Sequence, residues 1–174
     1  MDGALASRSR VTEVTQHSRF DSMKTHITEE TKRARILVVE DDPFVREGIV
    51  RLINRQDDLT CCGEADSIVA TGPAVAEQKP HLILLDLRLK DGDAFELIER
   101  LKLQSPDVPV LILSQFAELF HIEKALRAGA KGYVTKQEAV EEMLHAIRAV
   151  LLGNLYVSHE IAGPFIHRLL QAQP

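Results

Sequence analysis

The chain predicts an α/β fold built as a doubly wound parallel sheet. Three observations carry this. Short apolar runs recur along the chain, at Ile36-Leu37-Val38-Val39, Leu82-Ile83-Leu84-Leu85, Val110-Leu111-Ile112-Leu113 and Tyr133-Val134-Thr135. Between them lie longer segments with apolar residues at helical spacing. Each run also ends in a polar side chain: Glu40-Asp41-Asp42, Asp86, Ser114 and Lys136. Five βα units in series imply a parallel sheet covered on both faces.

The first strand spans about 35–40. Asp42-Pro43 opens the first helix, with Asp as N-cap and Pro at the first helical position. Val45, Ile49 and Leu52 supply its buried face. The second strand is about 58–63. The helix after it is poorly written: Thr71-Gly72-Pro73 falls in its first half, so a late start and a short helix are expected. The third strand is 81–86, and Asp93 can cap a helix carrying Leu97, Ile98 and Leu101. Pro106 and Pro109 bracket the turn into the fourth strand, 109–114. A helix over about 117–128 shows Leu119, Ile122, Ala125 and Leu126 and stops at Gly129. The fifth strand is 132–136. The last long helix, about 138–152, buries Val140, Met143, Leu144, Ile147 and Val150 or Leu151, with Gly153 as its stop.

Composition bounds the reading. At 174 residues, one domain with short appendages is expected. A hydrophobic fraction of 45% supports a sizeable core, while 5% aromatic and no Trp make that core aliphatic. A net charge of −5 lacks the basic footprint of a nucleic-acid binder. No apolar run approaches the roughly 20 residues of a membrane span, and the N-terminus has no secretory h-region. Cys61 and Cys62 are adjacent in a strand, so they form no disulfide framework, and a reducing cytoplasm fits. Residues 1–34 read as a disordered or weakly helical tail, within which Met23 is an alternative start.

In an open α/β sheet, ligands bind in the crevice beyond the carboxyl ends of the strands. Neighbouring strands would bring Glu40, Asp41, Asp86, Ser114 and Lys136 into one such crevice. Mg2+ takes oxygen ligands, with one or two carboxylates and several waters. Asp41 and Asp86 suit it directly and Glu40 through water, with the backbone carbonyl of Arg88 as a further ligand. Ser114 can donate to a phosphoryl oxygen and Lys136 can pair with another. This is the equipment for taking a phosphoryl group onto Asp86. Taken singly each residue has a plainer role, Asp42 as a cap above all. Several like charges gathered in one crevice have no structural rationale without a ligand.

Residues 35–153 resemble the receiver domain of two-component response regulators. The matching pieces are Ile36-Leu37-Val38-Val39-Glu40-Asp41-Asp42-Pro43, Leu84-Leu85-Asp86-Leu87-Arg88-Leu89, Leu111-Ile112-Leu113-Ser114 and Ala128-Gly129-Ala130-Lys131-Gly132-Tyr133-Val134-Thr135-Lys136. The resemblance implies a flavodoxin-like (βα)5 fold with strand order 2-1-3-4-5. It implies Asp86 as phosphoacceptor, Glu40 and Asp41 as the magnesium pair, Ser114 as switch hydroxyl, Lys136 as phosphate-binding lysine and Tyr133 as switch aromatic. It also implies a histidine kinase or phosphotransfer protein as phosphoryl source, and a second copy of the chain as a candidate partner. The stretch Gly132–Ala139 and Gly153-Asn154-Leu155-Tyr156-Val157-Ser158 are similar to receivers that precede a LuxR-type helix-turn-helix. Three residues depart from the pattern: Lys90 and Gln137 stand where proline is usual, and Gln115 where a small residue is common.

Residues 154–174 read as a linker and short helix striped with Ile161, Phe165, Ile166, Leu169 and Leu170, which can equally cover the core or a partner, with no output domain and no DNA-reading surface. The leading expectation is thus a phosphoacceptor that switches a protein-interaction surface, not a turnover enzyme beyond self-catalysed phosphotransfer and slow autodephosphorylation. The alternatives are an output-less remnant of a DNA-binding regulator, a degenerate docking module, and a Mg2+-dependent phosphatase. Phosphatases of the haloacid dehalogenase type need a second Asp two residues after the nucleophile, where this chain has Arg88.

Overall fold

The structure, a computed structural model, describes residues 33–138 and 140–171. All but the last two positions of the expected N-terminal tail lie outside the described residues. Strands β1 (Ala34–Val39), β2 (Leu59–Ala65), β3 (Leu82–Leu85), β4 (Val110–Ser114), β5 (Gly132–Thr135) and β6 (Tyr156–Val157) alternate with helices α1 (Pro43–Asn54), α2 (Ile68–Gln78), α3 (Ala94–Gln104), α4 (Leu119–Ala128) and α5 (Val140–Leu151). Helix α6 (His159–Gln171) closes the series.

All strand pairs are parallel, in the order β2-β1-β3-β4-β5-β6. The inner strands β1, β3, β4 and β5 are buried on both faces, so alternate residues feed two cores. Leu37, Val39, Ile83, Leu85 and Ile112 pack with Val75, Leu97, Ile98 and Ile122 of α2, α3 and α4. Ile36, Val38, Leu82, Leu84 and Leu111 pack with Ile49 and Ile53 of α1 and Met143 and Ile147 of α5. Chain direction across the sheet reverses between β1 and β3, which opens a crevice at their carboxyl ends.

Local capping explains most boundaries. The Asp42 carboxylate accepts from the Phe44 and Val45 amides, fixing the start of α1 with Pro43 behind it. The Asp93 carboxylate accepts from the Phe95 amide at the start of α3. Gly129, at φ +121°, ends α4, and a Cβ there would run into the Lys102 side chain.

Two expectations need correction. Helix α2 is neither late nor short: it starts at Ile68, before Gly72-Pro73, and runs 11 residues. Its first amides are held from two places. Ser67 caps Ala70, while Asp91, from the loop after β3, accepts from Ile68 and Val69. Pro73 leaves only the Val69 carbonyl without its helical donor, and Val69 is 77% exposed, so water can serve it. Val140 is exposed rather than buried, because it begins α5 and points away from the sheet. In α1, Ile53 joins Ile49 as fully packed core, and Val45 and Leu52 lie partly buried against the same cluster.

The end of the chain adds to the expected fold. A sixth strand extends the expected order: Tyr156 and Val157 pair with Gly132 and Tyr133. Helix α6 follows, with Ile161 and Phe165 in the same core as Tyr133 and Ile122. Ile166 and Leu170 are exposed, and the Leu169 side chain lies outside the described residues. Of the readings open for this segment, Ile161 and Phe165 favour the one in which the stripe covers the core. Cys62 is the extra residue of a bulge, since Ile36 pairs with Cys61 and Leu37 with Gly63. Burial pushes the Cys61 thiol up to about 11, and Cys62 is raised for the same reason, so both are protonated, unreactive thiols at neutral pH.

Candidate functional site

The crevice gathers side chains from three strand ends. Glu40 follows β1 and is 2% exposed; Asp86 follows β3 and is 4% exposed. Lys136 follows β5 and spans both, with Nζ 2.5 Å from Glu40 Oε2 and 2.9 Å from Asp86 Oδ2. Asp41 lies at the outer lip. Glu40, Asp41 and Asp86 each offer an oxygen within 4.8 Å of the others.

This clustering sets the electrostatics. Burial pushes the Glu40 carboxyl above its ordinary 4.5; Lys136 pulls it partly back, and the Asp86 charge adds to the rise. Burial alone would lower Lys136, but its bonds to Glu40 and Asp86 outweigh that and hold it above 10.5. One carboxylate oxygen, Asp86 Oδ1, is buried and has no hydrogen-bond partner among the described residues. Such an atom is costly unless a ligand serves it. Three convergent carboxylates and an orphaned buried oxygen fit a hard divalent cation.

Ser114 ends β4 and is fully buried. Its Oγ accepts from the Phe116 amide at 3.1 Å, while the Tyr133 hydroxyl donates to the Phe116 carbonyl at 2.8 Å. The two residues are thus joined through one residue of the β4–α4 loop. Phe116 in turn stacks on His121, with ring centroids 4.8 Å apart. Arg88 projects from the loop after β3 and donates from Nη1 to Gln115 Oε1 at 3.2 Å, linking the two loops beside the crevice. Glu40, Asp41, Asp86 and Lys136 thus form one contact group, and Ser114 with Tyr133 a second beside it.

Two contacts escaped the sequence. The Arg88–Gln115 link is one. The other is Lys90, whose Nζ lies 3.0 Å from Asp41 Oδ2. Both residues were visible as departures from the usual pattern, but what they touch depends on tertiary placement.

A family model for the response regulator receiver domain matches residues 36–148. The chain belongs to this family. Receivers serve as phosphoacceptors in two-component signalling and are not turnover enzymes in the ordinary sense. Among relatives, the response regulator GacA of Pseudomonas protegens is 34% identical over 137 residues, covering 79% of this chain and 64% of GacA. The DNA-binding transcriptional activator DevR/DosR of Mycobacterium tuberculosis is 31% identical, covering 78% of this chain and 62% of that protein. The chain thus spans less than two thirds of the length of either. A LuxR-family response regulator structure from an Aurantimonas species superposes with a TM-score of 0.76 at 31% identity, covering 79% of this chain and 99% of that one. The receiver fold and the phosphoacceptor role are those expected from the strand ends. Among the described residues no helix is long and apolar enough to cross a membrane.

The receiver's tyrosines give a spectroscopic prediction. The chain has two, Tyr133 and Tyr156, and no Trp. Burial pushes the Tyr133 phenol up from 10.0 to about 12. Tyr156 is also raised, by burial and by its bond to Glu142. An absorbance titration should therefore show no tyrosinate at pH 10 in the folded protein and a step near 12, which Tyr133→Phe removes. An unfolded tyrosine ionises near 10, so the contribution of Tyr133 to stability is full below pH 10 and is lost as pH rises through about 12.

Proposed function

We propose that Asp86 is the phosphoacceptor and that Glu40, Asp41 and Asp86 hold a Mg2+ ion, with the Arg88 carbonyl as a further ligand. The observation that carries this is the asymmetry of the Asp86 carboxylate: Oδ2 is held by Lys136 while Oδ1 is buried and orphaned. Oδ1 and the neighbouring acids suit the cation, which supplies charge neutralisation to the incoming phosphoryl group. The oxygen now facing Lys136 attacks phosphorus. A P–O bond forms, the bond from phosphorus to the donor nitrogen or oxygen breaks, and the donor leaves with the electron pair. Lys136 moves from the carboxylate onto a phosphoryl oxygen. Ser114 donates to another, giving up the Phe116 amide. Because Tyr133 holds the Phe116 carbonyl, that shift reaches the β4–α4 loop and α4, whose rearrangement is the output.

The same reading makes a histidine kinase or phosphotransfer protein the physiological donor, the cytoplasm the compartment, and a protein surface, in a partner or a second copy, the target. Loss of the phosphoryl group through slow autodephosphorylation resets the site. The net charge of −5 offers DNA no basic footprint, so no sequence-specific DNA binding is expected from these residues. Incubation with acetyl phosphate and Mg2+ tests the function: intact mass should rise by one phosphoryl group, and a chain that stays unmodified overturns it. The cation has its own test. Mg2+ should raise the melting temperature by mass action, and Asp41→Ala should remove most of that rise.

A further inference from the structure

Lys90 departs from the receiver pattern at a position where the structure gives it a specific contact. It lies four residues after Asp86, and its Nζ is 3.0 Å from Asp41 Oδ2. The lysine side chain is 85% exposed and the aspartate 14%. Among the described residues Asp41 has no other ionic partner. The loop on either side of Lys90 is fixed. Leu89 is buried in the core on one side, and on the other Asp91 accepts from the first two amides of α2. The ammonium is therefore presented to the lip of the crevice by a held backbone.

We infer that Lys90 is a built-in competitor for the divalent cation, occupying the Asp41 carboxylate until the metal displaces it. The inference rests on the cation site proposed above. Formal charge supports it: three carboxylates give −3, and Lys136 with Lys90 gives +2, so the crevice is nearly neutral from its own residues. A divalent ion added to both lysines would overshoot to +1, whereas displacing Lys90 leaves the crevice at zero. Cation binding must then break the Lys90–Asp41 contact. This weakens metal affinity and couples loading to the loop that also caps α2 through Asp91. An exposed ammonium holds its partner only modestly and is screened by salt, so the effect is a tuning of affinity and not a block.

Calorimetric titration of MgCl2 into the full chain tests this without reference to phosphorylation. At low ionic strength Lys90→Met should bind Mg2+ about 2- to 5-fold more tightly than the parent, the scale of an exposed ion pair. Lys90→Arg, which keeps the charge, should stay close to the parent. Raising the salt should shrink the gap between parent and Lys90→Met. Equal affinities for the parent and Lys90→Met, with both binding measurably, would overturn the role of Lys90 and leave the cation site standing. Absence of binding in every form would overturn the cation site, and this inference with it.

Discussion

Asp86→Asn will not take up a phosphoryl group from acetyl phosphate and Mg2+, whereas the parent gains one. The amide oxygen carries no negative charge and lacks the nucleophilicity to displace the donor. Of the other two acids in the cluster, Glu40 has both oxygens engaged, one by the Asp42 amide and one by Lys136, and Asp41 is paired with Lys90 at the lip. Intact mass of the two proteins after identical incubation measures the outcome. Equal labelling would move the acceptor elsewhere. The substitution should leave the fold intact, because the amide keeps the shape of the carboxylate and an oxygen for Lys136.

Lys136→Met will destabilise the cation-free protein by about 3 kcal/mol at neutral pH, the scale for removing one partner of a buried ion pair. Methionine fills the space but leaves Glu40 and Asp86 facing each other at 2% and 4% exposure. The loss should be pH-dependent, and its sign follows from Glu40. The folded carboxyl is already held above 4.5. Its protonated form therefore favours the fold below 4.5, and that contribution disappears as pH rises through the folded value. Without the lysine the folded value climbs further. The penalty should be largest at neutral pH and shrink toward pH 4.5 as Glu40 takes up a proton. Denaturant unfolding at the two pH values measures it, and added Mg2+ should restore part of the loss. A pH-independent penalty would mean that lost packing, and not charge, is responsible.

The sheet and its crevice were legible because the signals for them are local. An apolar tetrapeptide followed by an acid, or Asp42-Pro43 before an apolar stripe, carries its structural meaning within a few residues. What sequence missed depends on distant partners. Helix α2 starts before Gly72-Pro73 because Asp91, some twenty residues on, holds its first amides. Strand β6 is two residues long, too short for any apolar pattern, and forms because β5 offers it an edge. Val140 fits the helical stripe yet faces outward, since periodicity does not say which turn first meets the sheet. At the site, residue types announced the chemistry. Only tertiary placement shows that Lys136 bridges two buried carboxylates, that Ser114 and Tyr133 meet at Phe116, and that Lys90 reaches Asp41.

The sixth strand also bears on where the protein can be cut. Tyr156 donates its amide to the Lys131 carbonyl and Ser158 donates to the Tyr133 carbonyl, so residues 156–158 close one side of β5. Gly132 is fitted to this, since a Cβ there would stand 3.0 Å from the Tyr156 carbonyl and 2.7 Å from Leu111. A fragment ended at Gly153, the boundary that helical periodicity suggests, would leave the β5 ladder open to solvent and strip Ile161 and Phe165 from the core. An open parallel edge is a template for a neighbouring molecule. Such a fragment should aggregate in a concentration-dependent way that the full chain does not share, which light scattering of the two would compare.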